Sequence, residues 1–144
     1  MASTNILKKQ ASVYDLAIAL HGSEFDENRI YDLNTKHYFA PGVYAREAIL
    51  PAGSVTIGKT QKKEHIAIFS KGDCTVHCMG EVIEVHAPFT FVAAAGSKKA
   101  IYAHTEVVLT TIHATDETDI DKIEKEVIDD MAEITYEQQR RLKL

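Results

Sequence analysis

Four side chains could serve one binding chemistry: the Glu64 carboxylate, the Lys99 ammonium, the Tyr102 phenol and the His104 imidazole. Gathered in one pocket, with Lys98 as the alternative to Lys99, they would offer charge and hydrogen bonds to a small anionic ligand. A plainer alternative leaves both lysines solvated in a turn, with Glu64 paired to one of them. Glu64 is the sharpest test, because a buried carboxylate without a partner is costly. No catalytic residue is assigned. The chain has no Gly-x-Ser-x-Gly elbow and no glycine-rich phosphate loop, and a two-histidine phosphoesterase needs two His-x-Ser/Thr motifs where only His113-Ala114-Thr115 fits. Cys74 and Cys78 lie four apart in an extended segment, hence ~13 Å from each other at ~3.3 Å per residue, too far for a disulfide. They read as reduced, buried small hydrophobes.

The scaffold for these groups is one compact domain with short appendages, given 144 residues, 45% apolar, and three prolines. A net charge of −5 with scattered lysines and arginines leaves no basic footprint for nucleic acid. No apolar run approaches the ~20 residues that span a bilayer, and the start Met1-Ala2-Ser3-Thr4-Asn5 is polar. A cytoplasmic protein with no membrane partner is expected.

Residues 12–20 carry Val13, Leu16, Ala17 and Leu20 on one helical face, with Ser12 as N-cap and Gly22 as stop, so a short N-terminal helix is predicted. Residues 23–41 read as loop, with one brief strand near Ile30 to Leu33, a turn at Asn34-Thr35-Lys36, and His37 as a surface residue. Strands are predicted at 43–50, 54–57, 64–69, 74–78, 81–87, 89–92, 100–104 and 106–113. Met79-Gly80 is a two-residue hairpin loop, which sets Cys78 opposite Glu81, Val76 opposite Ile83 and Cys74 opposite Val85. That register turns Cys74, Val76, Cys78, Ile83 and Val85 inward and sends His77 and His86 to solvent or a partner. Short strands at steady spacing with glycine-rich turns argue for a mainly β, closed or double-sheet antiparallel architecture of jelly-roll type. After Thr115, acids crowd the start of a segment in which Ile120, Ile123, Val127, Met131 and Ile134 recur, an amphipathic C-terminal helix of about four turns. The divisions are 1–42 (helix and lead-in loop), 43–115 (barrel) and 116–144 (helix and tail).

Pro51-Ala52-Gly53, Gly58, Glu64, Gly72, the hairpin through Gly80, Ala87-Pro88 and Gly96 resemble, in order and spacing, the two motifs of the cupin superfamily over residues 43–113. The resemblance implies a barrel, and in that family three histidines and a glutamate hold one divalent metal. Here Glu64 matches the motif glutamate, Gly58 and Thr60 fall at two histidine positions, and the third falls near Lys98 or Lys99. No metal or other cofactor is therefore expected, unless His65, His104 or His113 supplies the missing imidazoles. The run from Pro51 to Asp119, with Glu64-His65, Lys71-Gly72, Thr90-Phe91, Tyr102-Ala103-His104 and Thr110-Thr111-Ile112-His113, also resembles small cupin-like proteins encoded by tailed bacteriophages.

The expected function is a non-catalytic cupin-like barrel acting as an oligomeric assembly or binding module. The phage resemblance implies a phage-encoded chain, a virion component or one kept in the host cytoplasm. Its partners are a second copy, or another phage or host protein, met through the terminal helices. The alternatives are a cupin that binds a sugar, a nucleotide or another small anion, and a metal-dependent isomerase, epimerase or oxygenase.

Overall fold

A computed structural model of the chain describes residues 34–129 and Met131. Among these, strands β1 (Lys36–Ala40), β2 (Val43–Leu50), β3 (Val55–Ile57), β4 (His65–Lys71), β5 (Asp73–Cys78), β6 (Glu81–His86), β7 (Phe89–Ala93), β8 (Lys99–Ala103) and β9 (Val107–Ala114) precede helix α1 (Ile120–Val127). The predicted helix at 12–20, the brief strand at 30–33 and most of the chain after 129 lie outside the described residues. No described helix is long and apolar enough to cross a membrane.

Two antiparallel sheets form, ordered β1-β2-β9-β4-β7 and β3-β8-β5-β6. Apart from the β1–β2 and β5–β6 hairpins, every strand is followed by one in the other sheet, which makes the pair a jelly roll of the expected kind. Alternation along each strand sends one set of side chains between the sheets. At one end these pack solidly: Ala48, Leu50, Phe69 and Val107 meet Cys74, Val76, Val85, Ile101 and Ala103.

Turn chemistry holds the crossovers. Gly72 has φ +94°, and a Cβ there would collide with the Glu106 carbonyl, so the β4–β5 crossover requires glycine. Met79 (φ 56°) and Gly80 (φ 82°) make the tight hairpin turn, and the β5–β6 register is the predicted one, Cys78↔Glu81, Val76↔Ile83 and Cys74↔Val85. Two expectations of exposure fail. His77 is 7% exposed, because β5 lies inside its sheet and His77 is flanked by Ala100 of β8 and Val82 of β6. Ile83, expected inside, is 43% exposed on edge strand β6.

β1 is a third departure, since Lys36 to Ala40 pairs along β2 where the sequence suggests a lead-in loop. Helix α1 starts as predicted, with the Asp119 carboxylate accepting from the Lys122 backbone N–H. It is shorter than predicted. At Ile128 the backbone turns extended (ψ 136°) and bridges to Gln61, so the apolar stripe from Ile120 to Ile134 is not one uninterrupted helix. The Lys62 N–H donates to the Val127 carbonyl and the Asp129 N–H to the Thr60 carbonyl, which ties the helix end across the open end of the barrel.

Candidate functional site

At the end of the barrel away from the packed core, the sheets enclose a cavity of about 500 Å³, within the ~300–1,000 Å³ of small-molecule sites. Strand register stacks its walls in tiers. On the first sheet the outermost tier crosses Phe39, Tyr44, His113 and His65, the next carries His37, Arg46 and Thr111, and the third carries Ala48 and Leu109 before the packed end. On the second sheet Lys99 lies opposite Cys78 at the open end, with Ile101 and Ala103 successively deeper. Both walls run from polar at the mouth to apolar at the floor. Helix α1 lies over the mouth, with Ile123 and Val127 buried against Tyr44.

The outermost tier is a ladder of rings. His65 and His113 stack with centroids 4.7 Å apart, His113 and Tyr44 at 5.9 Å, and Tyr44 and Phe39 at 5.2 Å. These spacings are those of neighbouring positions across adjacent strands. His37 joins through a 2.7 Å hydrogen bond between its Nδ1 and the Tyr44 hydroxyl; it is exposed, as expected, and its ring borders the cavity.

Protons are disfavoured here. His113 is pushed down to about 4, first by burial and then by the charges of His65, Lys99 and Arg46. His65 is lowered by burial and by Lys99, with a partial offset from its hydrogen bond to the Lys63 carbonyl. In that 3.3 Å contact the carbonyl can only accept, so Nδ1 carries the proton and Nε2 of the neutral ring keeps its lone pair. Burial also lowers the Lys99 ammonium, which sits 5.2 Å from the centroid of the Phe91 ring and has no carboxylate partner among the described residues. Two further groups lining the cavity are unsatisfied: the buried hydroxyl oxygens of Thr56 and Ser97 have no hydrogen-bond partner in the described structure. Each such orphan costs about 1–3 kcal/mol.

Of the four residues singled out in the sequence, Lys99 alone lines this cavity. Glu64 is exposed just before β4 begins, and the inward position is its neighbour His65. Tyr102 and His104 fall on the outer face of the second sheet, ring against ring at 4.9 Å. His104 Nε2 lies 2.7 Å from the Thr75 hydroxyl and 3.5 Å from Glu84. The lysines are not solvated: Lys98 is 3% exposed and donates to the Gly58 carbonyl at 3.0 Å, and Lys99 is half-buried. Sequence reasoning missed Arg46, Thr56 and Ser97, and it left the facing of His113 open. Alternation along β2 and β9 supplies the signal for Arg46 and His113, which share a face with the apolar Ala48, Leu50, Leu109 and Val107.

A cupin-like barrel raises the question of a metal, and these residues do not fit one. Three imidazoles, His37, His65 and His113, and the Glu124 carboxylate border the cavity, yet among the described residues no group of three or more His, Cys, Asp or Glu could hold an ion. His113 Nε2 is engaged by the Thr111 hydroxyl at 3.0 Å, and Lys99 and Arg46 would repel a dication.

No family model matches the chain, and no curated protein sequence matches it. Solved structures do. Ectoine synthase from P. lautus is 11% identical with a TM-score of 0.55 over 70% of this chain and 78% of that one. Salicylate 1,2-dioxygenase from Pseudaminobacter salicylatoxidans is 17% identical with a TM-score of 0.50 over 54% of this chain and 25% of that one, so the match spans a quarter of the dioxygenase. A cupin-2 domain containing protein from Shewanella frigidimarina is 11% identical, with a TM-score of 0.48 over 61% and 84%. At these identities the likeness is one of fold, an antiparallel jelly roll.

Proposed function

We propose that the protein is a binding module for a small organic anion with an apolar body, held in the barrel between the two sheets. The observation that carries this reading is Lys99, a cavity ammonium in no ion pair among the described residues although Glu124 also lines the cavity, together with the orphan hydroxyls of Thr56 and Ser97. An anion supplies the missing countercharge and acceptors. Arg46 adds a second cation on the facing wall, and Ala48, Leu109 and Ile101 receive the apolar part deeper in. The experiment is calorimetry or thermal melting with benzoate, salicylate and phenyl phosphate. Saturable stabilisation of the native chain, lost in Lys99→Leu, is the expected result. Equal shifts in both proteins, or none, would sink it.

A second reading, an assembly module, draws on the outer face of the first sheet. There Val92, Ile66, Ile112, Ala45 and Tyr38 line up across all five strands, and Val92, Ile66 and Tyr38 are 62%, 42% and 51% exposed. In this reading the chain pairs with a second copy or a phage or host protein. Light scattering tests it: a monomer mass at micromolar concentration removes the self-association form.

A further inference from the structure

We infer that Lys99 is a carbonyl-capturing nucleophile, forming an imine with an aldehyde or ketone that enters the cavity. Three features of its surroundings argue for this. The side chain lines a cavity large enough for a small carbonyl compound, and no carboxylate fixes it as an ammonium in a closed ion pair. An exposed lysine near pH 7 is an amine only about once in 2,500 molecules. Burial of Lys99 favours the amine, as it does in lysines that serve as nucleophiles.

The other two features are a base and a pair of donors. The stacked imidazoles of His65 and His113 are disfavoured as cations and feel the charge of Lys99, and His65 presents Nε2 with a free lone pair. Thr56 and Ser97 bring hydroxyls that have no bond to give up, and the backbone sets them close by: Ser97 is two residues before Lys99, and Thr56 precedes the Gly58 N–H that donates to the Lys99 carbonyl at 2.9 Å. These hydroxyls can donate to the carbonyl oxygen as it gains charge.

The step balances without oxidant or reductant. The Nζ lone pair attacks the carbonyl carbon and a C–N bond forms, while the C=O pair moves onto oxygen. One amine proton passes through the imidazole to that oxygen, giving the carbinolamine. The second follows as the C–O bond breaks, so both amine protons leave in one water and the C=N bond remains.

Reductive trapping tests the inference without the anion-binding reading, because the probe is neutral. The chain is incubated with propanal and cyanoborohydride near neutral pH, digested, and its modified lysines are mapped by mass. Lys99 is expected to be labelled at least tenfold faster than the exposed Lys62, Lys63 and Lys71 of the same sample. Labelling of the exposed lysines at equal or greater rate, or an unmodified Lys99, would overturn it. His65→Gln is the second variant: its Lys99 rate falls while the exposed lysines, acting as internal controls, are unchanged. A Lys99 rate equally fast in that variant overturns the role of the imidazole. The two readings also part with pH, since anion binding needs the ammonium and weakens as pH rises, whereas trapping accelerates.

Discussion

The molecule carries two pairs of histidines in opposite settings. His65 and His113 face inward, stacked on each other beside Lys99 and Arg46 with no carboxylate partner. His86 and His104 face outward from the second sheet, and each meets an acid, Asp73 at 2.8 Å and Glu84 at 3.5 Å. The outer cluster is satisfied by its own members and by solvent. The inner one holds the half-buried Lys99, imidazole lone pairs and buried unpaired hydroxyls, with Arg46 exposed at its rim, and a fold keeps such buried groups only at a cost. The difference separates a solvated surface from a place built to receive something, and each prediction below presses on one side of it.

The largest effect is expected from acid. Folded His113 takes up a proton only near pH 4, and the unfolded chain does so near an ordinary 6.5. Between those values the unfolded state binds more protons, so stability is intact above 6.5 and falls as the pH drops to about 4, below which it levels. The gap is worth about 3 kcal/mol at full extent. His65, also lowered, acts in the same direction. Denaturant unfolding measured from neutral pH down to about 4 gives the slope, and His113→Gln should flatten it by that amount relative to the native chain. A slope that His113→Gln leaves unchanged would erase the distinction between inner and outer pairs.

Next in size is Lys99→Leu. Removing a half-buried ammonium without a carboxylate, and filling its place with apolar volume, is expected to raise the unfolding free energy by about 1–2 kcal/mol while removing anion-induced stabilisation. A variant that loses stability instead would mean that the Phe91 contact and the electrostatics of the cavity hold Lys99 in place for structural reasons.

How much of this was legible in the sequence depends on the period-two rule. The Met79-Gly80 loop fixed the β5–β6 register to the residue, because two residues permit only one pairing. Glu64 was singled out by motif spacing, yet β4 begins at His65, and a one-residue offset exchanges the two faces of a strand. Lys99 and Tyr102 are three apart on one strand, so they could not have shared a face, and β8 alternates Lys99, Ile101 and Ala103 inward. That conflict was readable in advance. The burial of Lys98 was not, since it follows from a bond to the carbonyl of Gly58, forty residues away. The tie from Ile128 to Gln61 is equally non-local, and a helical stripe gives no warning that the backbone will leave the helix to make it.

Hydroxyls sharpen the comparison at smaller scale. Ser97→Ala removes a buried oxygen that bonds to nothing in the described structure, so stability should hold or rise by up to about 1 kcal/mol. Thr75→Val removes the outer-face hydroxyl that donates to Glu84 at 2.7 Å and meets His104 at 2.7 Å, and should cost about 1 kcal/mol. Opposite signs in paired thermal melts are the expected outcome, and the same sign for both would show that Ser97 has a structural partner.

The smallest effect belongs to His86→Ala. Its contact with Asp73 joins side chains that are 76% and 47% exposed, so water and salt screen it and its loss should change stability by no more than about 0.5 kcal/mol. Anion affinity should match that of the native chain within error, since His86 does not line the cavity and faces away from it. Equilibrium unfolding and anion titration on one preparation check both. If His86→Ala abolished anion binding and Lys99→Leu spared it, the outer cluster of Asp73, Thr75, Glu84, His86 and His104 would be the binding surface. The barrel interior would then be a cavity whose unpaired charge needs another explanation.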